Sequence, residues 1–133
     1  MINTLGLAKA LISVPSVTPH DKGAQDILKT HLDAAGFHCF DVPFGGENGQ
    51  ARIENLFARF GTGPKHLCYA GHTDVVPPGP EDKWTYGPFT PHVEDGVLYG
   101  RGASDMKGSV AAFTVAAIKF VQNHPDFGGS ISL

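Results

Sequence analysis

The run His66-Leu67-Cys68-Tyr69-Ala70 is short and apolar, and it leads at once into Gly71-His72-Thr73-Asp74 and the turn Val75-Val76-Pro77-Pro78-Gly79. A strand with one wet face alternates apolar and polar residues; a run without alternation predicts a central strand covered on both faces. Such a strand implies a sheet flanked by helices, and the flanking segments supply candidates for them.

Asn3 can cap a first helix with Leu5, Ala8, Leu11 and Ile12 on one face, and Pro15 stops it. Ser16-Val17-Thr18-Pro19 reads as a turn. A second helix is expected from about His20, with Ala24, Ile27, Leu28, Leu32 and Ala35 at helical spacing and Gly36 just past its end. Phe37 to Phe44 reads as a strand, and Ala51 to Phe60 as a candidate hairpin partner across the turn-rich Gly45-Gly46-Glu47-Asn48-Gly49. Pro77 to Pro91 is a proline- and glycine-rich excursion containing Trp84. Asp95-Gly96, set between His92-Val93-Glu94 and Val97-Leu98-Tyr99, is a two-residue hairpin signal. A helix from about Lys107 to Gln122 is apolar on nearly all sides and is expected to be buried. Ser130 to Leu133 opens another strand. The predicted fold class is α/β with a mixed β-sheet flanked by helices.

The bulk properties agree with one domain. A chain of 133 residues, 41% of them hydrophobic, is long enough for a real core. The net charge of −3 is spread out, with no basic patch to hold nucleic acid. Val110 to Val121 is interrupted by Thr114 and Lys119 and is too short and too polar to cross a bilayer. The N-terminal Met1-Ile2-Asn3-Thr4 lacks the basic region of a secretory signal, which points to a cytoplasmic protein. Cys39 and Cys68 are too few for a disulfide scaffold and read as buried free thiols.

The chemistry concentrates in two places. Residues two apart in a strand project to the same side, so strand geometry continued past Gly71 brings His72 and Asp74 together at a strand's C-terminal end. His72 is a candidate zinc ligand, and Asp74 either orients its ring or binds metal itself. A surface histidine beside a turn aspartate is the alternative. Asp105, in Gly100-Arg101-Gly102-Ala103-Ser104-Asp105-Met106-Lys107-Gly108, has two readings: a helix N-cap, or a carboxylate bridging two metals that together polarise a carbonyl and activate water. Spacing alone does not choose. His31 lies in an amphipathic helix, and His20, His38, His66, His92 and His124 lack a carboxylate or cysteine neighbour at ligand spacing. Gly61-Thr62-Gly63-Pro64-Lys65 is not a phosphate loop, no Gly-x-Ser-x-Gly elbow occurs, and Ser104 has no activating histidine nearby in sequence.

Taken in order, Gly71-His72-Thr73-Asp74-Val75-Val76-Pro77, Trp84, Pro88-Phe89, Asp95-Gly96-Val97-Leu98-Tyr99-Gly100-Arg101-Gly102 and Asp105-Met106-Lys107-Gly108 resemble the metallopeptidase family that includes aminoacylases, acetylornithine deacetylase and glutamate carboxypeptidases. The resemblance covers nearly the whole chain. Ser16-Val17-Thr18-Pro19 and Asp105-Met106-Lys107-Gly108 most resemble its bacterial members that remove a succinyl group from a diamino acid. It implies the N-terminal part of a dinuclear-zinc exopeptidase-like catalytic domain, with His72 on one zinc, Asp105 bridging both, and Asp74 as the catalytic-site carboxylate behind His72. It also implies a cis peptide after Asp105, two zinc ions that cobalt can replace, a small-molecule N-acyl amino acid substrate and a homodimer.

The family's Glu-Glu pair, its further acidic ligand, its late histidine and its dimerisation domain have no counterparts here. Residues 1–133 are therefore expected to be roughly the first third of such an enzyme, to bind zinc weakly and to turn over nothing alone. The final strand is expected to stand as an unpaired sheet edge. A related deacylase acting on another N-acyl group, and a non-catalytic module that keeps the fold, are the alternatives.

Overall fold

The computed structural model describes residues 2–133 and leaves Met1 outside. Helix α1 spans Thr4–Ile12, and the Asn3 side chain accepts the Gly6 N–H at 2.7 Å, as the sequence predicts. Its buried face is Leu7, Ala8, Leu11 and Ile12, while Leu5 is exposed. Leu7 and Leu11 stand one turn apart on the inward stripe, and Leu5 falls off it.

Helix α2 spans Ala24–Ala34 and starts later than expected. Lys22 and Gly23 both have positive φ, and the Asp21 carboxylate accepts the N–H groups of Gly23 and Gln25. This local turn holds off helical geometry until Ala24. Gly36 follows at φ 86, the left-handed position that ends a helix on glycine.

Strand β1 is His38–Asp41, β2 Phe44–Gly45, β3 Arg52–Ile53 and β4 Leu56–Phe60. The two long strands expected here are thus each divided. β1 pairs antiparallel with β4, with Cys39 opposite Ala58, whereas β2 and β3 form a separate ribbon. Strand β5 is Lys65–Cys68; β6 (His92–Glu94) and β7 (Val97–Tyr99) form the Asp95-Gly96 hairpin. Helix α3 spans Gly108–Asn123 and β8 spans Gly129–Ser132.

The main sheet has the order β1-β4-β8-β5 and is mixed: β8 runs antiparallel to β4 and parallel to β5. This order reverses two expectations. β5 is an edge strand with all four residues exposed, and β8 is an inner strand with all four buried. The connection through α3 inserts β8 between β4 and β5, so the last strand gains two partners and the apolar run keeps one.

All three helices share one core with the sheet, built on Leu7, Leu11, Leu28, Leu32, Phe37, Ala58, Val115, Ile118 and Ile131. Burying a side chain such as Leu32 stabilises by about 1.5–3 kcal/mol. On the opposite face Phe40 and Phe57, register partners with ring centroids 6.3 Å apart, remain exposed. α3 is buried along Val110, Ala111, Thr114, Val115, Ala117, Ile118 and Val121, but Phe120 is exposed, so its burial is one-sided. Cys39 is half-buried and Cys68 is exposed, against the expectation of two buried thiols. Among the described residues no helix is long and apolar enough to cross a membrane.

Candidate active site

His72 lies four residues beyond the end of β5. The chain passes there through Gly71, where a Cβ would stand 2.8 Å from the Tyr69 ring and 3.0 Å from a Val110 methyl. Only a residue without a side chain passes at that distance. Beyond His72 the loop is pinned: Val75 forms a parallel bridge with Val17, its N–H donates to the Ser16 carbonyl at 2.9 Å, and its carbonyl accepts the Thr18 N–H at 3.0 Å. The peptide between Thr18 and Pro19 is cis.

The structure brings His72, Asp74 and Asp105 together. His72 Nδ1 lies 2.9 Å from the Asp74 carbonyl oxygen and 3.4 Å from Asp74 Oδ1. The backbone carbonyl of Asp74 is thus the nearer acceptor, and the carboxylate stands behind it. On the other edge of the ring, His72 Nε2 lies 3.1 Å from Asp105 Oδ1. The His72 and Asp74 side chains are about half exposed, and that of Asp105 is 87% exposed.

Asp105 belongs to a π-helical turn, Ala103–Lys107, that precedes α3. Its φ of −128° and ψ of 96° are not helical, and its peptide to Met106 is cis, as the resemblance implies. The N-cap reading of Asp105 fails: Lys107 occupies the cap of α3, and no side chain caps it. The carboxylate is left free to face His72.

Lys107 is wholly buried, and its ammonium donates to the carbonyls of Leu11 and Val14, both at 2.8 Å. Burial pushes its pKa down to about 8, against the smaller opposing pull of Asp21 and Asp74. Sequence reasoning missed Lys107, Ser16 and Asp21 as neighbours of the site, because a lysine after Asp-Met carries no mark of burial. His66 is structural, as expected: its two ring nitrogens contact Ser130 Oγ at 2.7 Å and Ser132 Oγ at 3.0 Å.

The tautomer tests whether these residues suit a metal. A proton on Nδ1, donated to the Asp74 carbonyl, leaves a lone pair on Nε2 facing a carboxylate oxygen. Two acceptors at 3.1 Å repel unless a proton or a cation lies between them. Zinc–nitrogen and zinc–oxygen bonds of about 2.0–2.2 Å let one ion touch both atoms across such a gap. The donor types therefore fit. The donor number falls short, since no group of three candidate ligands occurs among the described residues and a catalytic zinc takes about three protein ligands. His72 and Asp105 thus offer two donors of suitable type and no third among the described residues.

Residues 68–133 match the model of peptidase family M20/M25/M40. The chain belongs to that family. It is 53% identical, over 97% of its length, to a protein named succinyl-diaminopimelate desuccinylase from Psychrobacter arcticus, and 54% identical over 96% to one of the same name from Beijerinckia indica. It covers 32% and 33% of those two proteins, so it spans about a third of the length of the curated relatives it matches. Among solved structures, a metallo-carboxypeptidase of the M20 family from Sulfolobus solfataricus superposes over the whole chain with a TM-score of 0.76 at 23% identity. Human carnosine dipeptidase 1 superposes over 97% of the chain with a TM-score of 0.75 at 26% identity. Each is covered to 30% of its own length by this chain. The M20 fold therefore extends through α1 and α2, beyond the matched residues 68–133.

Proposed function

We propose that this M20 chain supplies one half of the active site of a zinc-dependent amide hydrolase. The enzyme cleaves N-succinyl-LL-2,6-diaminopimelate into succinate and LL-diaminopimelate, on the route to lysine and cell-wall precursors. Identity above one half to relatives bearing that enzyme's name, sustained over nearly the whole chain, carries the reading. The approach of His72 Nε2 to Asp105 Oδ1 at 3.1 Å, two donor types that zinc takes, supports it from chemistry.

In this reading His72 would hold one metal through Nε2, and the Asp105 carboxylate would be shared between two. The Asp74 carbonyl holds the Nδ1 proton and fixes the tautomer, while its carboxylate, 3.4 Å away, makes the ring a stronger donor. When bound, the metal supplies Lewis acidity toward the amide carbonyl and toward water. The His72 and Asp105 side chains are open to solvent, where an N-acyl amino acid could reach them. Two zinc ions per subunit, replaceable by cobalt, a cytoplasmic homodimer and the absence of nucleic-acid or membrane partners complete the proposal, as does the assignment of residues 1–133 to the N-terminal part of the catalytic domain. The proton-accepting base and the remaining ligands then lie outside these residues.

Two measurements test it. The protein from the complete reading frame should hydrolyse the succinylated substrate in preference to N-acetylornithine and lose the activity on His72→Ala; preference for the acetylated substrate overturns the specificity. Titration of the 133-residue chain with zinc should show only weak binding. Submicromolar affinity at two sites per chain would contradict a half-site.

A further inference from the structure

The separation of His72 from Asp105 needs a physical cause. The two residues are 33 positions apart, and each sits in a loop or irregular turn rather than in regular structure. No hydrogen bond of a strand or α-helix fixes either one.

Both loops are instead tied to one stretch of chain. The Ser16 hydroxyl donates to the carbonyl of Thr73, the residue between His72 and Asp74, at 2.7 Å in a buried contact. The backbone of Ser16 and Thr18 brackets Val75. Four residues before Ser16, the helix that ends at Ile12 presents the Leu11 carbonyl, and it holds the Lys107 ammonium together with that of Val14. Lys107 closes the turn that carries Asp105, and its own N–H donates to the Gly102 carbonyl at 2.9 Å. The two loops also meet directly: a Cβ on Gly102 would lie 2.6 Å from a Val75 methyl and 3.3 Å from the Lys107 side chain. Ser16 and Lys107 both have no exposed surface.

We propose that Ser16 and Lys107 are positioning residues, and that the segment from Leu11 to Thr18 is a common frame that sets the distance between the imidazole of His72 and the carboxylate of Asp105. Ser16 acts through the Thr73 carbonyl and Lys107 through the turn it closes; neither touches the reacting atoms. The role rests on the metal-binding reading of His72 and Asp105. It gives Ser16-Val17-Thr18-Pro19, on which the resemblance partly rests, a physical task.

The test uses the protein from the complete reading frame with cobalt(II) alone as the probe. Ser16→Ala and Lys107→Met should each weaken cobalt affinity by about 10–100-fold, the range for groups that orient metal ligands. Each should also alter the visible spectrum of the bound ion and lower kcat with little change in KM. Ser16→Thr, which keeps the hydroxyl, should restore most of the affinity. Val121→Ala, a core truncation on the far part of the last helix, is the control for loss of stability. It should lower the melting temperature and leave the cobalt spectrum unchanged. If Ser16→Ala and Val121→Ala behave alike in affinity and spectrum, the positioning role is wrong. If His72→Ala leaves cobalt affinity untouched, the metal reading fails first, and the two failures are thereby distinguished. Should Lys107→Met not fold, Ser16→Ala with its threonine rescue decides the matter.

Discussion

Around Ser16 and Lys107, groups taken out of water find partners within the chain; around Leu67 and Phe120, apolar side chains stay partly in water. At the first end a buried hydroxyl and a buried ammonium make three hydrogen bonds of 2.7–2.8 Å to backbone carbonyls. At the second, β5 stands at the sheet edge and α3 faces it across an open groove of about 820 Å³ lined by Leu67, Phe113 and Phe120. The site-bearing end is therefore self-determined: its geometry follows from contacts inside these residues. The groove end has the character of an attachment surface, with an unpaired strand edge beside exposed apolar side chains.

The two thiols give the largest contrast. Cys68 is exposed on β5, while Cys39 is half-buried on the other edge strand. Burial first, and then the neighbouring Asp33 carboxylate, pushes the Cys39 thiol up to about 12. At pH 8 its thiolate fraction is then about one in ten thousand. Alkylation at pH 8 should therefore modify Cys68 at least about a hundredfold faster than Cys39, and the Cys39 rate should climb with each pH unit towards 12. Equal rates at pH 8 would show that the β1 edge is as open as the β5 edge.

Core truncation comes next. Leu32→Ala removes a side chain with no exposed surface and should cost about 2–5 kcal/mol in a urea titration. Leu67→Ala, at 59% exposure, should stay within about 0.5 kcal/mol of the parent. A comparable loss from the two would mean that the groove is packed in solution.

A smaller difference separates two glycines with nearly the same backbone. Gly102 has φ 82 and Gly79 has φ 76. Alanine in a left-handed position costs about 1–2 kcal/mol at either. At Gly79 the new methyl meets nothing within 4 Å, whereas at Gly102 it strikes Val75 and Lys107. Gly102→Ala should cost about 1–3 kcal/mol more than Gly79→Ala, the range for overpacking. Equal melting temperatures would deny the contact between the two loops.

What the sequence shows of this structure follows from the range of the interactions involved. The Asp95-Gly96 hairpin is readable because both residues must take positive φ there, a local demand that their side chains meet. The start of α2 is misread because Asp21 competes for the N–H groups that a helix from His20 would leave free. The apolar run of β5 announces a strand but not its place in the sheet; the crossover through α3 decides that, and burial follows order. His72 and Asp74 are near in sequence, so their partnership is visible, although the nearer Asp74 group proves to be the carbonyl. The meeting of His72 with Asp105 and the burial of Lys107 depend on loops distant in sequence. No spacing rule reaches them; the resemblance of the ordered motifs supplied the first and was silent on the second.

The smallest expected change in stability belongs to the edge itself. Leu67 pairs in register with Ile131, so its side chain lies on the helix-covered face and extends that apolar surface beyond the last paired strand. A lysine at such a position keeps the backbone pairing to β8 and places a charge where a second strand would have to dock. Leu67→Lys should leave the urea midpoint nearly unmoved, within about 0.5 kcal/mol, because the parent side chain is mostly in water. Its effect should appear instead in sedimentation or light scattering, where the parent chain associates as concentration rises and the variant does so less. A Lys variant that unfolds would mean that Leu67 is covered within the chain. A parent that stays monomeric at high concentration would mean that the edge is already protected, and the contrast between the two ends of the molecule would then rest on the fixed spacing of His72 and Asp105 alone.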